Sequence, residues 1–266
     1  MITIDGQTLT QIENIVAYKS GLALFDLDEV QSFKLSNGEE SSDIVGAGGV
    51  VLNTTKKNKS LTFEGVSGLM SGGLMSVQTG STEVYSDTTS INVSDSLKVA
   101  PATLTEGVLT DYTAIGTAGS EIGYIYATNT TTKVTTKFAQ ATTADATHFS
   151  YDPATKKITL PTAGVVATDT IKCYYNSAMN GSTLSNSANK YSGEVELVVN
   201  CMAKDGCGIE SFGQFVIPRA DFSGQFDIDL GGDQTVHNFS GKGLKNKCST
   251  IQNLWEFKIY NTPTAG

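Results

Sequence analysis

"FSGQFDIDLGGDQTVHNFSGKGL" (residues 222–244) sets Phe222, Gly224, Phe226, Ile228 and Leu230 on every second position, with Ser223, Gln225, Asp227 and Asp229 between them. A period of two is that of a strand with one apolar and one wet face. Phe226, Ile228 and Leu230 are expected to enter a core, where burying each is worth ~1.5–3 kcal/mol. Asp227 and Asp229 then stand on the opposite face.

The same pattern surrounds this stretch. "GEVELVVNCMA" (193–203), "FGQFVIP" (212–218), "TVHNFSGKGL" (235–244) and "LWEFKIY" (254–260) read as further strands, most of them separated by tight turns. In the last of these, Trp255, Phe257 and Ile259 share a face that is expected in the core. The first third of the chain has a similar style. Residues 23–36 read as a strand, as do 59–66, where Leu61 and Phe63 share a face. Between them, 37–58 reads as a long connecting loop, a kind of segment that is usually functional or mobile. Its first half carries Glu39, Glu40 and Asp43; its second carries Lys56 and Lys57, with Lys59 just beyond. Residues 67–81 suggest one short helix interrupted by Gly72 and Gly73.

Near residue 96 the composition shifts to Thr, Ala and Gly with little charge. Strands are predicted at 123–128, 133–139 and 169–176, and on both sides of the turn signal Asp152-Pro153-Ala154-Thr155-Lys156. Residues 176–193 have linker composition. The expected fold is all-β with little helix: a main β sandwich or barrel built from residues 1–95 and 179–266, with a small Ig-like β domain inserted at 96–178.

With 266 residues, the chain can hold one large or two small cores. Net charge is -9, and Arg219 is the single arginine, which argues against attraction to DNA. The N-terminus lacks the basic start and apolar run of a secretory leader, and no apolar stretch approaches the ~20 residues of a membrane span. Cys173, Cys201, Cys207 and Cys248 are therefore expected as free thiols of a reducing cytosol. The Cys201–Cys207 spacing fits no common zinc pattern, so no metal is expected there.

Catalytic motifs are missing from the chain: there is no phosphate-binding loop, HExxH, G-x-S-x-G or dinucleotide fingerprint. His148 and His237 are far apart, and Ser240 lies three residues from His237 on the opposite strand face. Asp227 and Asp229 have a spacing that a glycosidase pair could use. No aromatic sugar platform flanks them, however, and "DLGGDQ" lacks the ligand spacing of a calcium loop. The expectation is no enzyme and no cofactor.

"GQFVIPRADFSGQFDIDLGGDQTVHNFSGKGL" followed by "LWEFKIY" resembles the closing sheet of tailed-bacteriophage virion proteins, most of all a tail tube protein. "FSYDPATKKITLP" and "DTIKCYYN" resemble an Ig-like insert of such proteins, whereas the Thr- and Ala-rich stretch 101–147 has no counterpart. The resemblance covers about residues 148–260. It implies a virion subunit, made in the host cytoplasm, whose sheets join those of its neighbours into a ring of six. Rings stack into a tube through a protruding loop or hairpin and the chain termini, alongside other tail or head proteins. DNA passes through without specific binding, and no membrane is involved. On that reading Asp227 and Asp229 are candidates for the lumen wall, the bland alternative being a soluble outer face. Glu39, Glu40, Asp43, Lys56, Lys57 and Lys59 are candidates for contacts between rings. The alternative is a capsid-associated decoration or head protein with an Ig-like module. A glycan-binding adhesin is a third reading, opposed by the lack of a leader.

Overall fold

The computed structural model describes residues 4–82, 90–100, 107–228, 236–245 and 252–261. The first strands are β1 (Thr8–Lys19), β2 (Leu22–Leu27), β3 (Val30–Val45) and β4 (Val51–Ser67), followed by helix α1 (Gly72–Thr79). Then come β5 (Ser90–Val99), β6 (Val108–Leu109), β7 (Ala114–Ile115), β8 (Tyr124–Thr128), β9 (Thr135–Gln140), β10 (His148–Asp152), β11 (Lys157–Thr159) and β12 (Thr170–Asn180). The chain closes with β13 (Glu194–Lys204), β14 (Glu210–Phe222), β15 (His237–Gly243) and β16 (Glu256–Tyr260). The fold is nearly all β.

Residues 1–83 and 184–266 form one unit and residues 84–183 a second. The insert expected over 96–178 is therefore larger at both ends. The reason is β5, which pairs with β12 along its whole length from Ser90↔Asn180 to Val99↔Ile171, so it belongs to the insert.

The first unit is an antiparallel, nearly closed barrel-like sheet in the order β2-β1-β13-β14-β15-β4-β3, with β16 beside β14. Its largely aliphatic core holds a cluster of phenylalanines. Phe63 lies 5.1 Å from Phe222 and 6.3 Å from Phe33, and Phe222 lies 6.2 Å from Phe239 and 6.1 Å from Phe25. Glycines make room for these rings across the β4–β15 pair. Phe239 sits opposite Gly65, Phe63 opposite Gly241 and Leu61 opposite Gly243. A Cβ on Gly65 would lie 2.3 Å from the Phe239 ring, and one on Gly241 would lie 2.4 Å from the Phe63 ring. Each large side chain thus covers the glycine facing it, which fixes register as well as filling the core.

Pro218 interrupts β14 without breaking it. Val195 pairs with Ala220 and Leu197 with Ile217, so Glu196 faces both Pro218 and Arg219. This is a bulge, a position where a residue with no N–H is tolerated. At the bulge the far edge of β14 changes partner, from β16 (opposite Phe212–Val216) to β15 (opposite Ala220–Phe222).

Three expectations from the sequence are corrected here. The strand read over 23–36 is two strands, β2 and β3, parted at Asp28-Glu29. The glycines expected to interrupt the helix instead begin it: Ser71 caps the N-terminus by accepting from the Leu74 N–H at 3.2 Å. A Cβ on Gly73 would lie 2.7 Å from the Leu24 carbonyl, so glycine is what lets α1 pack on β2. The third correction concerns 222–230. Strand β14 ends at Phe222, and Ile228 makes only an isolated bridge to His237. The Ser223 hydroxyl accepts from the Gln225 N–H at 3.1 Å, a local bond that competes with the ladder. The chain instead passes close to α1, where a Cβ on Gly224 would lie 3.3 Å from the Gln78 carbonyl. Phe226 meets the His237 ring at 5.5 Å. Phe226 and Ile228 are only half-buried, and Leu230 lies outside the described residues.

His237 is fully buried and 2.8 Å from the Gln78 side-chain oxygen, and Gln78 donates to the Asn238 carbonyl at 3.1 Å. This knot ties α1 to β15. Burial holds the imidazole below its ordinary pKa, so it stays neutral and donates from Nε2.

The insert orders its strands β5-β12-β8-β9-β10-β11-β6, with β7 also on β12. β9 and β10 run parallel, while the other pairs are antiparallel. Ile125, Phe149, Ile158, Ile171 and Cys173 form its buried core. The expected turn closes β10 onto β11. Asp152 accepts from the Ala154 N–H and the Thr155 hydroxyl, which lowers its pKa, and Lys156 takes a positive φ.

The Ser81 hydroxyl donates to the Ser185 carbonyl, so the chain leaves and re-enters the first unit at neighbouring points. Replacing 84–183 by a short Gly-Ser linker is expected to leave the first unit folded, with one cooperative urea transition. Loss of all soluble protein would show that its core depends on the insert. A cut at 98–175 would instead strand β5 and part of β12.

Candidate assembly surfaces

The segment expected as a loop over 37–58 is the distal part of the β3–β4 hairpin. Leu61, Phe63 and Gly65 are buried in the base of β4, while Val51 to Ser60 are exposed on both faces. This two-stranded arm reaches roughly 30 Å beyond the core at ~3.3 Å per residue. Gly48 and Gly49, both with positive φ, make the turn, and the Gly46 N–H donates to the Val50 carbonyl at 2.8 Å.

Isolated two-stranded ribbons are marginal in water. Polar contacts brace this one across its strands. Glu39 pairs with Lys56 at 3.0 Å, Glu40 accepts from Asn58 at 2.6 Å, and Asp43 accepts from Thr54 at 2.7 Å. The acidic and basic halves therefore face each other within one arm, with Glu40 opposite Lys57. Lys57 and Lys59 stand exposed on the same strand. The tip is apolar. Ile44, Val45, Val50, Val51 and Leu52 are 51–69% exposed. A contiguous exposed apolar cluster of this kind marks an interaction site.

A second surface is the seam of the barrel. Among the described residues, β2 covers β1 only from Ile15 to Lys19, and β3 pairs with β4 alone. The Thr8–Asn14 edge of β1 and the outer edge of β3 are thus left facing a groove of about 770 Å³ that mixes polar and apolar side chains. Ile12, Val30, Phe33, Leu35, Val199 and Phe215 line it. Unpaired edges flanking apolar surface are templates for strand addition.

The outer face of β1, β13 and β14 carries a row of amides that the sequence reading did not single out. Asn14 donates to Asp26 at 2.9 Å, Asn200 to Asn14 at 2.7 Å, and Gln214 to Asn200 at 2.9 Å. Their signal in the sequence is a neutral polar residue at an outward position of each of three strands. The register that aligns them could not be read from the strands singly.

The single arginine is committed elsewhere. Arg219 grips Glu194 with Nε and Nη2 at 2.6 and 2.8 Å and donates to the Lys245 carbonyl at 3.1 Å, which holds the Glu194 carboxyl below its usual range. Asp227 is exposed on the irregular segment after β14, and Asp229 lies outside the described residues. The alternation that was to set these two on one strand face ends at Phe222. His237 binds Gln78 rather than Ser240, and Cys248 lies outside the described residues. Trp255 is 37% exposed and its ring lies tilted 5.9 Å from that of Phe215, which stacks on Phe257 at 4.3 Å. Burial pushes the Cys173 thiol up to about 11, which makes it a poor nucleophile. Among the described residues no group of three His, Cys, Asp or Glu side chains is placed to hold a metal, and no helix is long and apolar enough to cross a membrane.

Residues 141–255 match the family model described as the YomU/Tube protein family. The matched region runs from the insert through β15, and it supports a phage tail-tube-like structural protein and hence a component of the virion. No curated protein matches the chain.

Proposed function

We propose that this chain is the subunit of a phage tail tube. Copies close side by side into a ring of six, rings stack, and DNA passes through the channel without being held. The observation that carries the reading is the β3–β4 arm, whose apolar tip is exposed at the end of a ribbon too slender to be stable for its own sake. Stacked identical rings meet through unlike surfaces, so a projecting element on one ring needs a receiving surface on the next. Lateral closure uses the open edges of β1 and β3. The amide row suits a channel wall, because it offers hydrogen bonds without the fixed cations that would arrest phosphate. The charges of the arm align its strands and add to the contact between rings. The reading assigns the chain no catalysis and no cofactor.

Negative-stain microscopy of the purified protein tests this reading. Six-membered rings and tubes are expected at high concentration. Particles that stay monomeric or trimeric and attach only to capsids would replace it with the decoration-protein reading.

A further inference from the structure

The solvent face of the insert differs in character from the rest of this acidic chain. Lys98, Lys172, Tyr126 and Lys137 occupy one row across β5, β12, β8 and β9, each directly opposite the next. The inward positions beside them, Ile125, Phe138, Ile171 and Cys173, are buried, so the row faces water. Tyr174 and Tyr124 lie on the same face and are 54% and 48% exposed. The Lys137 ammonium sits 3.5 Å from the centre of the Tyr124 ring, and that of Lys172 lies 4.9 Å from the Tyr174 ring. Among the described residues, the outward positions of β5, β12, β8 and β9 carry no carboxylate. Asp95, the acidic residue of β5, turns the other way and accepts from the buried Tyr175 hydroxyl at 2.6 Å.

Three features of this face ask for an anionic ligand. Lys98 and Lys172 are directly opposed, a like-charge pair that costs stability unless an anion joins it. The cation–π contacts hold two ammonium groups over rings, which lowers the entropy lost on binding. Two half-exposed tyrosines offer flat apolar area beside the charges. The remaining outward groups are short and neutral: Ser94 donates to Asn176 at 3.0 Å, and the Thr128 and Thr135 hydroxyls are 2.9 Å apart. Hydroxyls and amides of this kind match the hydroxyls of sugars.

We propose that this face binds an anionic polysaccharide, a chain with carboxylate or phosphate groups spaced along it. The lysines neutralise the charges, the tyrosine rings take the C–H faces of the sugars, and the Ser, Thr and Asn groups bind hydroxyls. A nucleic acid fits less well. The Ser, Thr and Asn groups beside the lysines match the free hydroxyls of a sugar chain, which a DNA strand lacks. This inference does not depend on tube formation.

Affinity electrophoresis of the full chain through gels containing polygalacturonate, neutral dextran or single-stranded DNA tests it. Retardation by polygalacturonate at low salt is expected, with little by dextran and less by DNA. The triple variant K98Q/K137Q/K172Q should weaken binding by about tenfold or more, since each exposed charge contact is worth up to ~1 kcal/mol. Y124A/Y174A should weaken it as well, while K56Q on the arm should not. Calorimetric melting of each variant controls for folding. No retardation by polygalacturonate, retardation that the lysine variant leaves unchanged, or stronger retardation by DNA would each overturn the proposal.

Discussion

Subunits in which residues 43–54 are replaced by Asn-Gly are expected to fold normally and to form no tubes. The cut joins Ser42 to Thr55, which already face each other across the arm, and Asn-Gly supplies the tight turn that a two-residue hairpin prefers. The core begins only at Leu61, so the thermal melt should not move. What disappears is the apolar tip. Covering each of its five half-exposed side chains is worth roughly 1 kcal/mol. About 5 kcal/mol per arm corresponds to over a thousandfold in an association constant before ordering costs. Sedimentation of matched samples measures the effect: tubes in the parent protein and only slow species in the variant. Lys56→Gln is the contrast. It breaks an exposed pair worth under ~1 kcal/mol and should shift assembly little. Tubes of normal length from the shortened arm would remove the tip from the interface between rings.

Phe63→Ala should be the most destabilising single change in the first unit. The ring is 2% exposed, packs against Phe33 and Phe222, and covers Gly241 on the facing strand. Truncation opens a void with no side chain opposite to collapse into it. The expected cost is ~3–5 kcal/mol, a large part of the ~5–15 kcal/mol that holds a domain together. In urea the transition of the first unit should move to much lower denaturant, while that of the insert stays in place. A shift worth less than about 1 kcal/mol would mean that the aromatic cluster repacks.

Much of this fold is legible in the sequence where alternation is strict. β13, β8 and the β10–β11 hairpin follow the period of two and the Asp-Pro turn. The readings that missed did so where local chemistry overrides alternation. Residues 222–230 alternate well, yet the Ser223 hydroxyl and Gly224 turn the chain away after Phe222. The arm reads as a loop in the sequence because both of its faces are exposed, which removes the in-out signal that marks a strand. Its charges were legible as residues but not as partners, because pairing of Glu39 with Lys56 is a matter of register. The same holds for the amide row and for the Lys–Tyr face, each assembled from strands far apart in the chain.

The position of the insert has a consequence for the order in which the protein folds. β1 finds its partner at β13 and β4 finds its partner at β15, pairings such as Ile15↔Val199 and Phe63↔Gly241 that cannot form until the C-terminal strands have been synthesised. Residues 84–183 are contiguous and can fold first, as domains do during synthesis. Because Ser81 and Ser185 end up side by side, the folded insert shortens a closure of a hundred residues to almost nothing. A flexible loop of that length would cost roughly 4 kcal/mol to close. The insert is thus expected to act as a folding clamp, lowering the effective contact order of the barrel and speeding its late step. It also imposes a checkpoint: a chain broken off before β13 cannot complete its sheet.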